Sequence, residues 1–155
     1  TKLLESLPEE HREKVCVIYF DNEEKGLFGS MHFAEKHKDA AKHTLMINLD
    51  CVGDGENIVS LAKKEAMGHE LYALYTEVME QNSTRFEGNI QCRKMLTMMF
   101  PSDQSNFKKG IGVCALNKSP LGMYCARIHT PKDTVCREEN VRCLAEAMVE
   151  FVGKV

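Results

Sequence analysis

Glu23 and Glu24 stand side by side in the string Phe20-Asp21-Asn22-Glu23-Glu24-Lys25-Gly26-Leu27-Phe28-Gly29-Ser30. Neighbouring side chains on an extended or turning backbone point to different sides. One carboxylate can therefore bind a metal ion while the other faces a water held by that ion. A ligand and a general base a few ångströms apart are what metal-assisted hydrolysis requires. Two further groups suit the same chemistry. Asp50 closes an apolar run in Ile47-Asn48-Leu49-Asp50-Cys51-Val52-Gly53, and His129 lies in Ile128-His129-Thr130-Pro131-Lys132-Asp133-Thr134. A histidine held between an apolar run and a proline turn is well fixed for coordination. Asp133 stands where it could orient the second ring nitrogen. Each group alone has an ordinary reading: a solvated charge pair, a turn-forming aspartate, a structural histidine. Taken together they point to a metal site.

These groups need elements that bring them to one place. Residues 15–20 are continuously apolar and rich in β-branched side chains, which predicts a strand buried on both faces. Residues 44–49 predict a second buried strand ending on Asp50, residues 57–62 a third, and residues 90–93 and 111–116 two more. Residues 123–128 predict a strand leading into His129. Between them lie predicted helices at 27–38, 68–81 and 138–152, the last with Val141, Leu144, Ala145, Met148 and Val149 facing inward. A short helix at 103–109 starts from Ser102 as its cap. Residues 1–14 predict a helix that Pro8 breaks or restarts. Strands alternating with helices predict an α/β fold with a mixed, mostly parallel sheet sandwiched by helices. Sites in such sheets lie outside the carboxyl ends of the strands. Glu23, Glu24, Asp50 and His129 are thus expected to converge on one edge of the sheet.

The 155 residues predict a single domain, 1–155. A net charge of -3 gives no reason to invoke nucleic acid or an acidic membrane surface. No apolar stretch approaches the roughly 18 residues of a membrane span, and the charged, amphipathic residues 1–12 do not resemble a signal peptide. The seven cysteines are odd in number and include no CxxC pair. That pattern predicts reduced thiols and a cytoplasmic location rather than a disulfide framework or a zinc–thiolate site.

Four motifs in order carry a family resemblance. They are Glu23-Glu24 with Gly26-Leu27-x-Gly29-Ser30, then Asn48-Leu49-Asp50-x-x-Gly53, then Ser102-Asp103 with Phe107 and Gly110-Ile111, then His129-Thr130-Pro131-x-Asp133-Thr134. Together they resemble the co-catalytic dizinc aminopeptidases, the bacterial leucine-aminopeptidase type of peptidase family M28. The resemblance implies hydrolysis of amino-terminal residues from peptides. It implies that Glu23 is the general base, that Glu24 and His129 bind one zinc, and that Asp50 binds a second. Ser102 and Asp103 match a segment near the substrate pocket and take no metal role. The family's remaining ligands, in a His-x-Asp strand end and an Asp-Asn-x-x-Gly helix start, have no counterpart before Val15; His11 lies outside any such motif. The expectation is an incomplete domain that lacks the family's amino-terminal strands. Of the family's two zinc ions, this chain alone is expected to hold one or none, and to be inactive or metal-poor. Its expected partners are a peptide substrate and a second copy or a complementing segment. Two alternative readings share the fold: a zinc enzyme like the glutaminyl cyclases, and a non-catalytic binding or dimerisation module.

Overall fold

A computed structural model describes residues 2–83, 90–94 and 100–155. Pro8, which cannot donate a helical hydrogen bond, separates α1 (Lys2–Ser6) from α2 (Glu9–Arg12). The chain then passes through α3 (Phe28–Lys36), α4 (Lys38–His43), β1 (Met46–Leu49) and β2 (Asn57–Ala62). It continues through α5 (Lys64–Met67), α6 (Tyr72–Gln81) and β3 (Gln91–Lys94), and then a 3₁₀ turn (Asp103–Asn106). It ends with β4 (Gly110–Ser119), β5 (Gly122–Tyr124) and α7 (Glu138–Gly153). The strands form one mixed sheet in the order β1-β4-β2-β3, with β5 paired to β4. β1 runs parallel to β4 and β2 parallel to β3, while β2 and β4 are antiparallel. The expected α/β fold, a mixed sheet with flanking helices, is what the chain adopts.

The sheet has two unlike faces because successive side chains alternate. Ile47, Ile111 and Ala62 lie in one register row and join the main core. That core is completed by Tyr75, Val78 and Met79 of α6 and by Cys143, Leu144, Ala147, Met148 and Phe151 of α7. The adjacent row, Asn48, Gly112 and Leu61, belongs to the other face. There Val59, Leu61, Cys114 and Leu116 form a smaller cluster with Phe100, Met123 and Cys125. The 3₁₀ turn packs on this face, against β1, β4 and α3.

Two glycines of β4 permit that packing. A Cβ at Gly110 would stand 2.3 Å from the Gln104 carbonyl oxygen, and one at Gly112 would stand 2.8 Å from Gln104 Nε2. Lys63 secures the far end of the turn, donating from Nζ to the carbonyls of Ser105 (3.0 Å) and Phe107 (2.8 Å).

Three expectations are corrected. Residues 15–20 carry no strand pairing among the described residues, and Tyr19 is 81% exposed. The segment is held instead by its ends. Val15 packs on the main core. The Phe20 ring meets Phe33 at 5.7 Å and Phe107 at 6.0 Å between centroids. An apolar β-branched run fits any half-buried extended path, so composition alone does not specify a ladder. β1 is an edge strand among the described residues, with Leu49 exposed, and so is half-buried rather than buried. The strand expected at residues 123–128 stops at Tyr124, and the chain beyond it turns.

The inward stripe of α7 is also rotated from its expected position. It runs through Asn140, Cys143, Leu144, Ala147, Met148, Phe151 and Val152, while Val141 is 42% exposed. Leu144→Ala should therefore destabilise the fold by about 2–5 kcal/mol. Val141→Ala should change it by no more than about 0.5 kcal/mol. Urea midpoints of the two variants, compared with the parent chain, check the assignment; equal costs would contradict it.

Candidate active site

The expected site residues meet in one place. Glu23, Glu24, Asp50 and His129 all line a single cavity of about 260 Å³. Its floor is the row Asn48, Gly112 and Leu61, with Val113 and Cys114 beside it. Phe100, Pro101, Ser102 and Gln104 form one wall, and Cys51, Cys125 and Ile128 form another.

Local backbone geometry delivers each acidic group. Asn22 takes a left-handed conformation (φ 54°) and starts a tight turn in which Gly26 and Leu27 N–H both donate to the Glu23 carbonyl, at 3.0 and 2.9 Å. Gly29 lets α3 press against this turn, since a Cβ there would stand 2.5 Å from the Asp21 carbonyl oxygen. Asp50 follows β1 directly, its N–H donating to the Val113 carbonyl at 3.0 Å. His129 occupies a turn closed by the Thr130 N–H and hydroxyl, which both donate to the Arg127 carbonyl at 3.1 and 2.7 Å. The histidine has φ 60° there, a conformation that favours glycine. With Asn22, Cys51 and Phe100, it makes four non-glycine residues with positive φ in or beside the cavity. Such backbones persist where surrounding contacts over-determine them, and they cluster at functional sites.

The electrostatics are those of crowded carboxylates. His129 Nε2 and Glu24 Oε1 are hydrogen-bonded at 2.7 Å, both side chains well exposed. This bond and the Glu24 charge raise the His129 pKa above its ordinary value, with smaller contributions from Glu23 and Asp133. Asp133 thus acts on the ring through charge, and the ring's hydrogen-bond partner is Glu24. The Glu23 pKa is also raised, first by burial and then by the charges of Asp50, Glu24 and Asp103, against a hydrogen bond with Ser102 that lowers it. Asp103 is buried with Oδ1 unpartnered.

Ser102 stands at the head of the turn but makes no side-chain capping bond there. Its Oγ accepts from Asn48 Nδ2 at 2.9 Å, and the same amide donates to Gln104 Oε1 at 2.8 Å. Gln104 Nε2 in turn donates to the Phe100 carbonyl at 2.9 Å. Asn48 and Gln104 had no expected role. Asn48 could have been found from its spacing, since it precedes Asp50 by two and so shares its face of the chain.

Carboxylate and imidazole donors suit zinc. Three acidic groups and a single histidine on one cavity also leave an excess of negative charge that a divalent cation would neutralise. Glu24 and His129 already stand together, so they are the pair fitted to hold such an ion. Among the described residues, no three His, Cys, Asp or Glu side chains are gathered closely enough to enclose one. Asp50 lies on the same cavity but outside that pair.

A comparison with protein families finds that the model for peptidase family M28 matches residues 1–152. Neither the curated proteins nor the solved structures yield a match to the chain.

Two titrations test this geometry. Glu24→Gln should lower the His129 pKa, read from ring-proton shifts in NMR. In the parent chain the pair stabilises the fold below the ordinary histidine value of roughly 6.5, and that contribution is lost as the pH rises through the raised value. An unmoved His129 would show that the contact does not form in solution. Ser102→Ala should raise the Glu23 pKa further, as the bond that favours its charged form is removed; a fall would contradict the assigned hydrogen bond.

Proposed function

The chain belongs to peptidase family M28, a metallopeptidase family, and from that premise we propose that it is an aminopeptidase domain releasing amino-terminal residues from peptides. Glu23 is the general base, Glu24 and His129 hold one zinc, and Asp50 serves a second. The observation that carries this reading is the meeting of these four residues on one cavity, with Glu24 and His129 in contact at 2.7 Å. Zinc, when bound, supplies polarisation of the scissile carbonyl and a more acidic attacking water.

This chain's own residues then have defined tasks. Glu24 and the neutral ring of His129 hold the cation. Glu23, with its raised pKa, is suited to take a proton from the attacking water and return it to the leaving amine. Ser102, itself held by Asn48, keeps the Glu23 carboxylate in place. Leu61, Phe100, Val113 and Ile128 give the cavity an apolar lining that would exclude water and receive an apolar side chain. Because the described residues gather two ligands, we propose that the chain alone holds one zinc at most, and weakly. A second copy or a complementing segment would supply the rest. No helix among the described residues is long and apolar enough to cross a membrane. We propose a reducing, cytoplasmic setting on the odd number and unpaired spacing of the seven cysteines.

In the assembled, zinc-loaded enzyme, Glu23→Gln should reduce peptide turnover by about 10²-fold or more, while zinc or cobalt uptake, measured by calorimetry, stays unchanged. Normal rates in the variant would remove Glu23 from the mechanism. Metal uptake and activity should both fall in acid, as His129 and Glu23 take up protons. Ring closure of amino-terminal glutamine peptides, in place of amino acid release, would assign the chain to cyclase chemistry. No metal uptake even with the complementing segment present would leave a binding module.

A further inference from the structure

Three cysteines line the cavity, Cys51, Cys114 and Cys125, and the proposed hydrolysis uses none of them. Cys51 directly follows Asp50 with φ 53°, and its carbonyl accepts from the Ala115 N–H at 3.1 Å. Cys125 directly follows β5, whose Tyr124 is in register with Asn117 of β4. Two strand ends thus meet beside residues 115–117 of the same strand and bring Cys51 and Cys125 to one shared cavity. Cys51 is exposed and Cys125 half-buried, so a small reagent entering the cavity can reach them. Cys114 is buried, its thiol directed at the Val59 carbonyl 3.9 Å away. Cys136 is packed against Gly53, with Sγ 3.0 Å from where a Cβ would stand.

We propose that Cys51 and Cys125 form a reversible oxidation site, closing to a disulfide along the cavity wall when the chain meets a peroxide. The chemistry balances within the pair. One sulfur attacks a peroxide oxygen, the O–O bond breaks, and a sulfenic acid and one water form. The second sulfur attacks the sulfenic sulfur, the S–O bond breaks, and a second water leaves. The two thiols give up two electrons and two protons, and the peroxide takes both. A disulfide's narrow geometry demands neighbouring backbone positions, and the register beside residues 115–117 supplies them. The new bond would tie the end of β1 that carries Asp50 to the segment that reaches His129 at the fourth residue beyond Cys125. Two separate walls of the cavity would become one.

The test treats the full chain with excess hydrogen peroxide, alkylates the remaining thiols and maps peptides without reduction. The seven thiols should fall by two, with the Cys51 and Cys125 peptides joined, and dithiothreitol should restore all of them. Cys51→Ser should keep its remaining thiols under the same treatment. A linkage through Cys114 or Cys136 would overturn the proposal. So would separate over-oxidation of Cys51 and Cys125, or no loss of thiols. Should the variant fail to fold, the map of the parent chain decides alone, whatever the outcome for peptide hydrolysis.

Discussion

The cavity depends on how closely the segment carrying Ser102 and Gln104 lies on β4. That approach exists because Gly110 and Gly112 present bare backbone on the site face of the strand. A methyl group at Gly110 would overlap the Gln104 carbonyl. Pushing the segment outward would break the Asn48 bonds to Ser102 and Gln104, at 2.9 and 2.8 Å. Ser102 is in turn the partner of Glu23. The position of a catalytic candidate in the loop before α3 thus traces back to missing side chains more than eighty residues later in the chain.

The site concentrates cost and the rest of the fold offsets it. Four non-glycine residues in or beside the cavity have positive φ, each costing on the order of 1–3 kcal/mol. Carboxylates repel one another around Glu23, and Asp103 is buried with one oxygen unpartnered. The opposite face of the sheet supplies the compensation. There Tyr75, Leu144, Phe151 and their neighbours are buried against an apolar row. One face of a single sheet therefore stabilises, and the other can hold groups that water would otherwise favour. Lys63 joins the two halves of this arrangement. It sits just beyond β2 and fastens the 3₁₀ turn through two carbonyls. Burial lowers its pKa, as expected of an ammonium group that exchanges water for fixed acceptors.

Legibility in the sequence varied with how local the determining physics was. β2 occupies residues 57–62 as its apolar run predicts, and Pro8 divides the first helix as a ring without an N–H must. α7 was legible in extent, but its buried stripe runs through Cys143, Ala147 and Phe151 rather than Val141, since apolar residues at its margin admit a stripe shifted by one position. Residues 15–20 look like a buried strand by composition. Whether such a run pairs depends on a neighbour, which local pattern does not contain. α4 and α5 were missed; they are short and amphipathy across one turn is weak.

What the sequence by itself determined was the chemistry. The types and order of Glu23, Glu24, Asp50 and His129 point to a metal-dependent hydrolase before any coordinate is known, because side-chain identity sets what each group can bind or protonate. Only the tertiary structure decided that these groups share a cavity and that Ser102 and Asn48 hold Glu23. It alone brought Cys51 and Cys125 to that same cavity. Those are distances between residues up to 105 positions apart, set by strand register and by glycine-permitted close packing. No local pattern along the chain encodes them.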